Sequence, residues 1–141
     1  MSYDLMVFEA SVAPKSRDEF MIWYREQTKW SEDHDYQDHS VTSQALQNWF
    51  QEMIQFFPPM NGPLASDDVD NPKVTDHCIG HNVIYSTFAW SVAEEAHPKM
   101  RELAIRHSVG FFDVSADSGE ILFPNKNERL ETKKPWWKFW K

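Results

Sequence analysis

Cysteine is almost missing from this chain: Cys78 is the only one, so no disulfide can form within it, and a solitary thiol fits a reducing compartment. Glycine is nearly as scarce, with four residues and no Gly-rich loop of the kind that cradles phosphate. No apolar run approaches the length of a membrane span, and the N-terminus lacks the basic start and apolar block of a signal peptide. The expected location is the cytoplasm. Basic residues are few in the body of the chain. Residues 1–125 hold 8 Lys/Arg against 20 Asp/Glu, whereas residues 126–141 hold 6 against 2. An acidic body repels a polyanion, which argues against DNA or RNA binding and favours a basic partner.

What is present is a foldable chain. Its 141 residues are 41% hydrophobic and 15% aromatic, enough for one domain with a real core. The stretch 74–90 carries the densest local signal. Val83, Tyr85 and Ala89 fall on one face of an extended chain, and Ile84, Phe88 and Trp90 on the other. Apolar groups on both faces predict a strand covered on both sides. Gly80-His81-Asn82 supplies a turn back to 74–79, with Gly or Asn able to take φ > 0. Ser91 with Glu94 then has the spacing of a capping box.

Earlier in the chain, residues 3–10 predict a first strand, again apolar on both faces, ended by Pro14. Ser16-Arg17-Asp18-Glu19 is a second capping box, and it opens a helix presenting Phe20, Trp23 and Tyr24, continued by Gln27 and Trp30. From about Ser43, Leu46, Trp49, Phe50, Met53, Ile54 and Phe57 recur at steps of three and four, the clearest helical pattern in the chain. Pro58-Pro59 stops it. Residues 92–107 predict a third helix with Pro98 inside, which implies either a kink or a short separate piece at Ser91. Strands follow at 109–115 and 120–123.

The order β-α-α-β-β-α-β-β predicts an α+β fold with a ferredoxin-like split β-α-β layout: a mainly antiparallel sheet with helices on one face. A single domain is expected over 1–124, with 125–141 as a basic aromatic C-terminal tail.

Candidate chemistry is thin. His77, Cys78 and His81 lie close in sequence but straddle a predicted turn, and no second Cys or fourth ligand completes a zinc set. No metal site, cofactor or catalytic residue is assigned on that basis. The alternative kept for these three is a pocket under the long 57–76 loop, serving a small enzyme or ligand-binding domain. Loops of that length tend to be functional or mobile. The connection after the first helix carries Glu32, Asp33, Asp35 and Asp38, yet lacks the central Gly and closing Glu of a calcium loop. The 57–76 loop adds Asp67, Asp68 and Asp70. Across residues 31–76 nine acidic residues face one base, Lys73. Should both loops meet at one end of the sheet, they form one negative face for a basic protein, with Asp33, Asp35, Asp38, Asp67, Asp68 and Asp70 as its binding residues.

The end of the chain sets Trp136, Trp137, Phe139 and Trp140 among Lys133, Lys134, Lys138 and Lys141. That composition suits docking on its own domain, a contact between protomers, a mobile end or a membrane surface, but is too short to span.

Four blocks together, Met1-Ser2-Tyr3-Asp4-Leu5, Trp30-Ser31-Glu32-Asp33, the run from Phe57 through Pro58-Pro59-Met60-Asn61-Gly62 to Pro63, and Gly110-Phe111-Phe112-Asp113-Val114, give a resemblance covering most of 1–124. The chain resembles a group of small acidic bacterial proteins of unassigned activity, similar to immunity proteins of toxin–immunity and contact-dependent inhibition systems. The resemblance implies a binding protein that covers a basic toxin's active site, and it brings no catalytic motif.

Overall fold

A computed structural model describes residues 2–68 and 70–124, together with the backbone of 128–130. The aromatic and lysine-rich stretch 133–141 lies outside the described residues. The architecture is α+β: an antiparallel sheet packed with α-helices. Its strands are β1 (Tyr3–Phe8), β2 (Asp76–Ile79), β3 (Val83–Phe88), β4 (Gly110–Phe112), β5 (Ile121–Phe123) and β6 (Glu128–Leu130). They lie side by side in the order β2-β3-β1-β4-β5-β6. The sixth strand falls inside the segment expected as a tail, and pairs Phe123 with Glu128 and Ile121 with Leu130.

The centre of the sheet is β1, paired to β3 along its whole length from Tyr3–Phe88 to Phe8–Val83, and to β4 through Met6–Phe112, Val7–Phe111 and Phe8–Gly110. Alternation sends Leu5, Val7, Ile84 and Phe88 to one face, and Met6, Phe8, Val83 and Tyr85 to the other. On the first face sit α2 (Gln44–Met53) and α3 (Ala93–Arg106), which contribute Leu46, Trp49, Phe50, Met53, Met100 and Leu103 to one core. The second face is closed by α1 (Arg17–Gln27) through Phe20, helped by Met21, Trp23 and Tyr24. Helices therefore cover both faces, not one. The physical reason lies in β1 and β3 themselves: Met6, Phe8 and Val83 are fully buried, and only a helix on the second side removes them from water.

Helix ends follow local chemistry in two cases out of three. The Ser16 hydroxyl accepts from the Glu19 N–H at 3.3 Å, and the Ser43 hydroxyl accepts from Leu46 at 3.3 Å. The capping box expected at Ser91 does not form. A 3-10 turn, Trp90–Val92, stands there instead, and α3 starts at Ala93 with no side-chain cap. Trp90 is drawn out of β3 by packing on Tyr3, ring centroids 5.1 Å apart, so the strand ends at Phe88. Pro98 lies inside α3 as its sixth residue, where it withholds a donor from the Glu94 carbonyl. The period-read helix over 43–57 stops at Met53, and Phe57 reaches the core through a turn closed by its N–H on the Met53 carbonyl.

One glycine is forced by packing. A Cβ at Gly110 meets the Phe8 ring at 2.1 Å, so only glycine lets β4 pass over that ring. No helix among the described residues is long and apolar enough to cross a membrane.

Candidate functional site

Alternation along β2 separates the three residues that lie together in sequence. His77 points into the first core, against Trp49, Phe50 and Phe88. Its Nδ1 lies 2.7 Å from the Ser86 hydroxyl and its Nε2 3.0 Å from the Phe57 carbonyl. A carbonyl only accepts, so Nε2 carries the proton and donates, while Nδ1 accepts from Ser86. Burial holds this imidazole down to about 4, hence neutral, against a smaller upward pull from the Phe57 carbonyl. His77 is a structural tie between β2, β3 and the chain leaving α2.

Cys78 faces the other way. Burial pushes its thiol up to about 11, with the charges of Asp76 and Glu32 adding to the effect. A thiol so held is a poor nucleophile at neutral pH. The residues His77, Cys78 and His81 do not line one pocket.

His81 occupies the β2–β3 turn, which closes without positive φ at Gly80 or Asn82, and it meets the acidic connection. That connection runs along the free edge of β2. The Tyr36 carbonyl accepts from Ile79 N–H at 2.9 Å, and the Thr42 hydroxyl donates to the His81 carbonyl at 2.9 Å. Trp30 and Tyr36 both take positive φ, 52° and 64°, turning the chain after α1 and aiming the Tyr36 carbonyl at β2. Glu32 is the knot: its Oε1 accepts from the His81 N–H at 2.9 Å and lies 2.6 Å from His34 Nε2. Its own N–H is held by the Tyr36 hydroxyl.

The 57–76 loop is pinned rather than loose. Thr75 N–H donates to the Pro58 carbonyl and Met60 N–H to the Thr75 carbonyl, both at 2.8 Å, forming an isolated parallel bridge between Pro59 and Thr75. The loop then touches the connection. Gly62 sits at φ 90° with its α-carbon against Gln37, and a Cβ there meets the Gln37 carbonyl oxygen at 2.5 Å. The two acidic segments thus meet where Gly62 packs on Gln37.

The six expected carboxylates divide by what they already do. Asp38 is the cap of a 3-10 turn, His39–Val41, and accepts from Ser40 N–H at 2.9 Å, which lowers its carboxyl. Asp35 accepts from Gln37 N–H at 3.0 Å. Asp33, Asp67, Asp68 and Asp70 are exposed, and none of the six is in an ion pair among the described residues. The 57–76 loop also exposes two apolar side chains, Met60 and Leu64, at 50% and 47%. A cavity of about 390 Å³ opens between the loop and the end of β3, lined by Met60, Ser66, Asn71, Pro72, Val74 and Ala89.

Comparison with family models, curated proteins and solved structures gave no match. Function must be argued from the site.

Sequence reasoning missed the meeting of Glu32 and His34 with His81. The only available signal was a pair of imidazoles, one beside an acidic run and one in a turn. The pairing itself depends on a backbone bond from Tyr36 to Ile79 that no side-chain pattern announces.

Proposed function

We propose that this chain is an immunity-type binding protein that acts in the cytoplasm and neutralises a basic toxin domain by covering its active site with the β2 edge. The observation that supports the reading is the contact of Gly62 with Gln37, which joins two acidic segments distant in sequence at one point. Exposed carboxylates speed encounter with a basic partner and select its orientation. Met60 and Leu64, exposed on the 57–76 loop, are the apolar anchors such an interface needs, because a few buried side chains supply most of the affinity.

The test takes basic toxin domains sought among the products of neighbouring genes, with binding and inhibition measured together. Asp33, Asp67 and Asp70 are the carboxylates to reverse, since each is exposed. Asp38 is a poor choice because its carboxylate caps a turn. Replacing all three with Lys is expected to weaken binding by about a hundredfold, or roughly 3 kcal/mol. Unchanged binding overturns the reading.

A second reading, a small ligand-binding domain, is favoured by the cavity beneath the loop rather than by His77, Cys78 or His81. Filling it with Val74→Trp abolishes ligand binding under that reading.

A further inference from the structure

Glu32, His34 and His81 bring a carboxylate oxygen and two ring nitrogens within 4.8 Å of one another. We propose that they form a site for a divalent transition ion of the zinc type, which clamps the acidic connection to the β2–β3 turn. The inference stands apart from partner binding and uses none of the carboxylates assigned to it.

The donor set is the first argument. Two imidazoles and one carboxylate suit zinc, and they exclude calcium or magnesium, which take oxygen ligands almost alone. Spacing is the second. Ligand atoms at about 2.1 Å around a tetrahedral ion stand roughly 3.4 Å apart. His81 Nε2 lies 3.7 Å from Glu32 Oε1, close to that value. His34 Nε2 lies 2.6 Å from the same oxygen, so the carboxylate swings outward by less than an ångström to admit the ion.

Proton positions are the third argument. His81 Nδ1 is 3.0 Å from the Val41 carbonyl, so Nδ1 carries the proton and Nε2 presents a lone pair. A backbone carbonyl behind the ligand nitrogen is the usual support of a metal-bound histidine. His34 is arranged for the ion-free state. Its Nδ1 accepts from Tyr36 N–H at 3.0 Å, which leaves the proton on Nε2, donated to Glu32. When the ion takes Nε2, that proton passes through solvent to Nδ1 of the same neutral ring. The Tyr36 N–H then turns to water, so its amide reports on occupancy. Three protein ligands leave a coordination position for water on the His81 side, where that side chain is 56% exposed.

The experiment is a titration of the untagged full chain with Zn²⁺, followed by calorimetry and by the amide spectrum, with Co²⁺ absorption as a check of geometry. One ion per chain is expected, with a displaced Tyr36 amide and a raised Tm. His81→Gln, at an exposed position, is expected to lower affinity about tenfold or more and to abolish the Tm gain, as is His34→Gln. Glu32→Gln weakens binding as well. His97→Gln, outside the cluster, leaves it unchanged. Folding of each variant is read from its ion-free Tm. Absence of saturable binding overturns the proposal, as does binding that the His34 and His81 substitutions leave intact. Neither outcome touches the reading of the acidic face, because no partner is present.

Discussion

His77 makes stability depend on pH in a direction the structure dictates. Buried, neutral and bonded on both nitrogens, it is held down to about 4, whereas an unfolded chain gives it an ordinary value near 6.5. The unfolded state then binds more protons between those values, so stability rises with pH. The contribution is fully present above about pH 6.5 and fades as pH falls through the window to 4, reaching roughly 3 kcal/mol of loss. His77→Gln keeps a donor and an acceptor but cannot titrate. At pH 7 the substitution is expected to cost about 1–2 kcal/mol, through poorer bonds to Ser86 and the Phe57 carbonyl. At pH 4.5 the wild type has lost about 2.5 kcal/mol that the variant has not, so the ranking of the two inverts. Urea unfolding of both proteins at several pH values measures the difference, and carboxylates common to both cancel. A gap that stays constant from pH 7 to 4.5 refutes the reasoning. So does a wild type that gains on the variant as pH falls, since that behaviour requires a charged, paired imidazole.

Other substitutions follow from packing. Phe20→Ala removes the only fully buried side chain of α1 and is expected to cost about 3–5 kcal/mol by denaturant unfolding, as for other core aromatics. Gly110→Ala drives a methyl into the Phe8 ring and is expected to destabilise by about 1–3 kcal/mol, relieved in part by Phe8→Leu in the same chain. Gly62→Ala meets both a positive φ and the Gln37 carbonyl; about 1–3 kcal/mol of loss is expected, with increased hydrogen exchange along both acidic segments.

Much of the frame was legible because its signals are local. The three-and-four spacing from Leu46 to Met53 marks one buried face of a helix whatever that helix packs against. The faces of β3 follow from a period of two, and Val83 and Tyr85 indeed lie opposite Ile84 and Phe88. The placement of α1 was harder. Periodicity says that Phe20 and Trp23 face something apolar, not which side of the sheet holds it. Yet strands apolar on both faces already require cover on both, so β1 and β3 carried the answer that the one-face layout overlooked. The Ser91 cap failed because its spacing is only local, while Trp90 is positioned by Tyr3 from the far end of β1. The cluster of Glu32, His34 and His81 was least legible, since it forms where a connection without side-chain periodicity bonds to a sheet edge.

In the proposed reading the two acidic segments, in contact at Gly62 and Gln37, act as one surface for a basic partner. Association kinetics with a basic toxin domain found among the neighbouring genes' products, taken across a series of salt concentrations, measure this. A shared electrostatic face predicts an association rate that falls steeply as salt rises. The Asp33→Lys, Asp67→Lys and Asp70→Lys triple variant should be slow at all salt levels and nearly flat against them. Association that is insensitive to salt and equal in the two proteins contradicts the claim.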